Sequence, residues 1–253
     1  MKPEENTKDK QFASDMREFF NRKAQHTTQG DYEYYRWFST PRKRLQYYYT
    51  TESISYHLRD ISVKRCLEVG CGPGTWTRLL LTRYPKADIV CIDISKEMIL
   101  QLGNNIPSKR VKTIVNNFLD QTFNERFDFI FCSRAIEYIP NKQKVIEKFY
   151  SLLKLEGKGI IISSPPHKIF FLLKHTIGKK IDPEHSQRIS VKDLTQLLKK
   201  AGFTNVTSYP ILFTDSLVIP NNFLFKRFYK KPWGVVARLF ASGYITKFEK
   251  KRV

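Results

Sequence analysis

The chain predicts an α/β domain: a doubly wound, mainly parallel sheet preceded by a helical cap. Three observations carry this. The run Cys66-Leu67-Glu68-Val69-Gly70-Cys71-Gly72-Pro73-Gly74-Thr75-Trp76-Thr77 is a short apolar stretch, a turn with glycines at alternate positions, and a helix start. Residues 87–93, Ala-Asp-Ile-Val-Cys-Ile-Asp, form a second apolar stretch that ends in a carboxylate. Further apolar runs at 111–115, 127–132 and 157–163 alternate with helical patterns, the mark of strand–helix–strand units.

The elements follow in order. The first strand ends in the glycine turn, where the backbone can take left-handed angles and approach a ligand with no Cβ in the way. The helix behind it, over residues 78–84, offers unsatisfied N–H groups to an anionic ligand moiety. A dinucleotide-binding fingerprint needs its third glycine where Thr75 stands, so the spacing departs from that pattern. Asp93, ending the second strand, can accept both ribose hydroxyls of an adenosine. Ser95 is placed to cap the helix opening over 94–99. Strand three (111–115) runs into Asn116-Asn117-Phe118-Leu119-Asp120, and strands four and five cover 127–132 and 157–163. A helix over 191–201, closed by Gly202, leads to a sixth strand at 205–211, and alternation at 243–248 gives a terminal strand.

Glu68-x-Gly70-x-Gly72-x-Gly74 resembles motif I of the class I S-adenosylmethionine-dependent methyltransferases, and the resemblance extends over roughly residues 60 to 210 in order, spacing and residue type. It implies a Rossmann-like seven-stranded sheet of order 3-2-1-4-5-7-6 with the last strand antiparallel, and S-adenosylmethionine as cofactor. By the same resemblance Glu68, Gly70, Gly72, Gly74, Thr75 and Trp76 belong to the cofactor site, with Asp93 on the ribose. Ile94 packs on the adenine, and Met98 counts among the cofactor residues. Asn117 stands where the family usually has an Asp that accepts from the adenine amino group, and Phe118 lies against the base. Ser133 opens the segment 133–139 that lines the transfer site in relatives.

At 253 residues with 41% hydrophobic content, the chain is long enough for a full core in one domain. Residues 1–60 form the helical cap and 61–253 the main body, with amphipathic insertions at 168–181 and 216–243. Cys66, Cys71, Cys91 and Cys132 fall on or beside strands without a Cys-x-x-Cys pair, as small buried hydrophobes in a reducing compartment do. The first residues are too polar for a signal peptide, and the longest apolar run is the five residues from Ile169 to Leu173. The expectation is a cytoplasmic protein, with peripheral attachment to the inner face of the cell membrane.

The charge bears on partners. Lys and Arg number 44 against 24 Asp and Glu, and the resulting net charge of +20 attracts polyanions. Much of the lysine is scattered, but two stretches concentrate it. In 168–181, Ile169, Leu172, Leu173 and Ile177 share one helical face with lysines at both ends. In 221–243, Lys226, Arg227, Lys230, Lys231 and Arg238 sit beside Phe223, Phe225, Tyr229 and Trp233. Such helices suit an anionic membrane surface, with packing on the core as the competing reading. Nucleic acid is the less favoured partner, since no RNA-binding module is recognisable.

The cap holds a dense aromatic and basic block, divided by Pro41, with Thr40 placed to cap its second segment. Arg42 or Arg44 is expected to pair with the cofactor's carboxylate, in a Pro-x-x-Arg place similar to that of the ubiquinone-biosynthesis O-methyltransferase group. Where metal-dependent members of that group carry Glu-x-x-Glu-His, this chain has Arg134-Ala135-Ile136-Glu137-Tyr138, so no metal is expected. Holding the acceptor in line within a dry pocket supplies most of the acceleration of methyl transfer. A hydroxyl acceptor also benefits from a base, for which His167 is best placed, with Glu137, Tyr138 and His185 behind it; His57 has no evident role. The reading is methyl transfer to a small-molecule or lipid-linked acceptor at a membrane surface. An RNA methyltransferase and a catalytically silent cofactor-binding protein are the alternatives, and the acceptor and oligomeric state stay open.

Overall fold

The computed structural model describes residues 3–25, 31–166, 187–213, 229–232 and 241–251. Its centre is a sheet of β1 (Arg65–Val69), β2 (Asp88–Asp93), β3 (Val111–Val115), β4 (Phe127–Ser133), β5 (Leu153–Ser163), β6 (Thr204–Phe213) and β7 (Ala241–Glu249). The order is β3-β2-β1-β4-β5-β7-β6. The first five strands pair in parallel, and β7 runs antiparallel between β5 and β6. Order and strand direction are those the resemblance implied.

A parallel sheet covered on both faces needs strands that are apolar at every position. Residues 129–132 meet that demand: Phe129 and Phe131 point to one face with Cys66 and Cys91, Ile130 and Cys132 to the other with Leu67 and Val69. On the first face pack α2 (Pro41–His57), α3 (Thr75–Arg83) and α4 (Lys96–Asn105); on the second, α5 (Lys142–Leu152) and α6 (Val191–Lys200). All four cysteines are buried and free. The helix starts carry the expected caps. Ser95 Oγ accepts from Met98 N–H at 3.2 Å and Thr40 Oγ1 from Lys43 N–H at 3.2 Å.

Three strands, β5, β6 and β7, run longer than expected. β5 begins at Leu153, because one bridge to Phe127 precedes a register shift that leaves residues 154–156 exposed and turn-like in sequence. β6 extends at both ends. β7 begins at Ala241, so the insertion expected at 216–243 stops short of it. Residues 168–181, most of 216–240, and both His167 and His185 lie outside the described residues.

Ahead of the sheet, α1 (Pro3–Gln25) lies along α4, where Ser95 Oγ donates to Asn21 Oδ1 at 2.7 Å and Gln101 Nε2 to the Ala24 carbonyl at 3.0 Å. A π-helical turn, Tyr34–Phe38, precedes α2, whose Ile54 joins the core beside Leu58, both with no exposure. His57 acquires a role. Its Nε2 donates to the Tyr229 carbonyl at 2.8 Å and its ring lies 4.3 Å from that of Tyr209, which ties α2 to β6. Burial pushes its pKa down to about 4, so it stays neutral.

Candidate active site

A cavity of about 800 Å³ opens at the carboxyl ends of β1, β2 and β4, roofed by α1 and the π-helical turn. Its size lies in the range of ligand pockets, and its place is where open α/β sheets bind ligands.

The glycine turn forms one wall. Gly70 and Cys71 donate their N–H groups to the Ile92 carbonyl at 2.8 and 3.3 Å, which fixes the turn to β2. Gly70, Gly72 and Gly74 all have positive φ (71°, 54° and 92°), but their surroundings separate them. A Cβ on Gly70 would sit 2.2 Å from Ala135 Cβ, and one on Gly74 2.6 Å from Ile106 Cδ1. One on Gly72 would meet nothing within 4 Å. Gly70 and Gly74 are therefore glycine for packing, and Gly72 borders open space. Beside it, Asp93 Oδ2 accepts the Gly72 N–H and Oδ1 the Ser95 N–H, each at 2.9 Å. Burial raises the Asp93 pKa, opposed by these backbone donors. A carboxylate has more lone pairs than these two donors use.

Two expected cofactor residues act from behind this wall. Glu68 is 1% exposed and does not line the cavity; it accepts the Thr77 hydroxyl at 2.6 Å and so pins the first turn of α3. Burial pushes its pKa up to about 7. Gly74 backs onto Ile106 and Leu102 instead of the cavity.

At the far end, Ile94, Met98, Asn117 and Phe118 all line the cavity. Asn117 shapes its own loop: Oδ1 accepts from Leu119 N–H at 3.2 Å and Nδ2 donates to Asp120 Oδ2 at 3.0 Å. Lys148 Nζ locks the same loop by donating to the carbonyls of Phe118, Leu119 and Gln121 at 2.7, 3.0 and 2.5 Å. Sequence reasoning missed Lys148, since a lysine on an amphipathic helix looks like any solvated charge.

The roof brings the main correction. Arg42 and Arg44 are exposed and do not line the cavity; Arg44 Nη1 donates to the Phe38 carbonyl at 3.0 Å. Arg36 lines it instead, half-buried, with its guanidinium 4.2 Å from the Trp37 ring centroid. Burial, and then the neighbouring Arg134 charge, pull its pKa below the ordinary guanidinium value. The π-helical turn sets which residues face inward, and its period is not legible in the sequence. Trp76 lines the cavity with Thr75, backed edge-on by Trp37 at 5.5 Å and in parallel by Tyr47 at 5.7 Å. Glu33 joins Arg78 at 3.1 Å, so the roof is bolted to α3.

The floor follows β4. Ser133, Arg134, Glu137 and Tyr138 line it, with Arg188 beside them. Arg134 has φ +62°, a left-handed angle non-glycine residues avoid. Glu137, expected as a base, is 2% exposed and already engaged. Its Oε1 accepts the Ser164 N–H, with Arg134 Nη1 3.9 Å from Oε1 and Arg188 Nε 3.8 Å from Oε2. It serves as counter-ion to two arginines. Tyr138 packs edge-on against Phe20 of α1 at 5.0 Å. Among the described residues, no group of three or more His, Cys, Asp or Glu side chains could hold a metal ion.

Comparison with known proteins agrees with this architecture. A family model described as a methyltransferase domain matches residues 42–208. The malonyl-[acyl-carrier protein] O-methyltransferase 2 of Ilyobacter polytropus is 33% identical over 136 residues, 52% of each chain. The trans-aconitate 2-methyltransferase of Enterobacter sp. is 33% identical over 96 residues, 38% of this chain and 37% of that one. The chain thus spans about half the length, or less, of these curated relatives. Among solved structures, an N-methyltransferase from Bradyrhizobium japonicum WM9 in complex with S-adenosyl-L-homocysteine superposes with a TM-score of 0.62 at 14% identity, covering 93% of this chain and 98% of that one. Magnesium protoporphyrin IX methyltransferase from Synechocystis PCC 6803 gives 0.64 at 15%, covering 94% and 99%. At such identities the structures speak for the fold. The family match, which spans most of the sheet and the turn that Asp93 braces, shows that the chain belongs to the class I S-adenosylmethionine-dependent methyltransferases.

Proposed function

We propose that the protein transfers the methyl group of S-adenosylmethionine to a small-molecule or lipid-linked acceptor. The observation that carries this is the cradle of Gly72 and Asp93. A carboxylate braced by two backbone N–H groups stands beside the one turn glycine whose missing Cβ leaves open space. When bound, the cofactor supplies an electrophilic methyl group on a sulfonium. The residues present fit it: Asp93 for the ribose, Ile94, Met98, Asn117 and Phe118 around the base, and Thr75, Trp76 and Ser133 along the middle. Arg36, in place of Arg42 or Arg44, is the guanidinium for its carboxylate.

The chain's own work is positioning and the exclusion of water. Tyr138, which lines the cavity, and His167 are the candidate bases for an acceptor proton. The relatives named for malonyl-[acyl-carrier protein] and trans-aconitate support a small or carrier-linked acceptor over nucleic acid. The net charge of +20 supports attachment to an anionic membrane surface, though RNA would answer to the same field. Flotation with anionic liposomes against an RNA gel shift, each at two salt concentrations, separates the two. Calorimetry with S-adenosylhomocysteine tests the site itself. Wild-type protein binds and Gly72→Val does not while its circular dichroism is kept; equal affinities would remove the assignment.

A further inference from the structure

We infer that Asn21 of α1 is a positioning residue for the cofactor: acting through Ser95, it holds the carboxylate of Asp93 in place for the ribose. Asn21 itself does not line the cavity. The inference rests on the methyl-transfer reading and adds to that site a residue of the cap which reaches it at second hand.

A chain of hydrogen bonds joins the two. Asn21 Oδ1 accepts from Ser95 Oγ at 2.7 Å and, at a longer 3.5 Å, from the Glu97 N–H. Ser95 Oγ in turn accepts the Met98 N–H at 3.2 Å, and the Ser95 N–H donates to Asp93 Oδ1 at 2.9 Å. Ser95 has no exposure, so its hydroxyl proton cannot turn to solvent and needs an acceptor within the protein. α1 supplies that acceptor, and so sets the rotation of the hydroxyl. With the proton on Asn21, a lone pair is left for the Met98 N–H and the first turn of α4 is fixed. The cap and the turn it closes carry Ile94 and Met98, which line the cavity together with Asp93.

The residue type agrees. Asn is ill suited to a helix interior, where its amide competes with the backbone, yet Asn21 stands inside α1. Its side chain serves the neighbouring helix instead. The first N–H groups of α4 have no partner within that helix; Ser95 Oγ takes one, and Asn21 Oδ1 takes another. Gln101, also on α4, keeps Asn21 in register. Its Nε2 donates to the Ala24 carbonyl at 3.0 Å and its Oε1 accepts the Tyr32 N–H at 3.3 Å, so one side chain fastens both the end of α1 and the start of the roof. Of the described residues of α1, Met16 and Ala24 are the ones buried, so its docking leans on these polar contacts.

The test titrates the full chain with S-adenosylhomocysteine by calorimetry. Asn21→Leu weakens binding about three- to tenfold, the scale of one hydrogen bond, and Leu, the stronger helix former, keeps α1 helical. Asn21→Asp retains an acceptor at the α4 N-terminus and binds within about twofold of wild type. In a Ser95→Ala background, where the chain of bonds is already cut, Asn21→Leu costs less than about twofold more. The pH profile separates positioning from packing. The Ser95 N–H is one of the donors that hold the Asp93 pKa down against burial, so the acid loss of affinity sets in at higher pH in Asn21→Leu. Glu68 and Cys71, the titratable neighbours of Asp93, are the same in both proteins. An unchanged affinity in Asn21→Leu, an equal loss in Asn21→Asp, the full loss repeated in the Ser95→Ala background, or an unmoved acid midpoint overturns the inference. Amide exchange of the ligand-free protein keeps the outcome distinct from the methyl-transfer reading: the Ser95, Glu97 and Met98 N–H groups exchange faster in Asn21→Leu, and equal rates would overturn the inference by themselves. Failure of the wild type to bind S-adenosylhomocysteine strikes the methyl-transfer reading.

Discussion

Replacing Asp93 by Asn isolates what its carboxylate does. The two side chains have the same shape, but Asp93 accepts from two backbone donors, Gly72 N–H and Ser95 N–H, each at 2.9 Å. Asn offers one carbonyl oxygen and turns its NH₂ toward a second donor, so one backbone N–H loses its partner. An unsatisfied buried donor costs about 1–3 kcal/mol, which appears as a lower melting temperature. The affinity for S-adenosylhomocysteine falls further. Hydrogen bonds from ligand hydroxyls to a charged acceptor are worth roughly 1.5–3 kcal/mol each. Losing one and weakening its neighbour gives about 2–4 kcal/mol, a factor of roughly 30 to 700 in Kd. Calorimetry at pH 7.5 measures the Kd and circular dichroism the melting temperature. The pH dependence adds a check. Burial raises the Asp93 pKa, so acidification protonates it earlier than an exposed Asp, and wild-type affinity drops as pH falls through that raised value. The Asn variant shows no such drop. A variant that binds within threefold of wild type would refute the role of the carboxylate.

Three further outcomes follow from the same geometry. Gly70→Ala, whose new Cβ would lie 2.2 Å from Ala135 Cβ, lowers the melting temperature; Gly72→Ala leaves the fold nearly intact apart from about 1–2 kcal/mol of left-handed strain and acts on ligand affinity. Lys148→Met, which strips three carbonyls of their shared donor, costs about 1–3 kcal/mol of stability in thermal melts and weakens S-adenosylhomocysteine measurably. For Glu68, burial raises the pKa from 4.5 to about 7, so the folded state holds its proton after the unfolded chain has released it. That contribution to stability is complete below pH 4.5 and is lost as pH rises toward 7, so Glu68→Gln melts with a flatter pH profile over this window.

How far the sequence could be read depends on what each feature requires of a residue. Strands buried on both faces must be mostly apolar along their middle, so β1, β2 and β4 are legible as runs. Asp93 and the glycine turn were visible because the chemistry there tolerates few residue types. Features set by tertiary context were not. Gly159 looks like any strand glycine, yet a Cβ there would lie 2.1 Å from Phe248 Cζ, a contact with β7 far along the chain in a strand order that residue type alone does not give. Glu68 has the right type and place for a ligand contact, but the strand direction turns it toward Thr77. Arg42 and Arg44 match a spacing, whereas Arg36 faces the cavity because a π-helical turn displaces the helical register before Pro41. The basic amphipathic stretches at 168–181 and 221–243 lie outside the described residues apart from 229–232 and 241–243.

These differences divide the site into two kinds of wall. Around Gly72 the wall is backbone braced by one side chain: the turn is held to β2 by hydrogen bonds to the Ile92 carbonyl, and the Gly72 N–H is held by the Asp93 carboxylate. Such a wall can hold the same cofactor in distant relatives, which suits folds that superpose at 14–15% identity. The roof and floor work through side chains: Arg36 on Trp37, Arg134 and Arg188 on Glu137, Tyr138 against Phe20. There a single substitution alters charge or shape without touching the sheet. On the proposed function, acceptor selectivity would fall to the cap and to the segment after β4, where residue identity counts most and general sequence rules give least guidance.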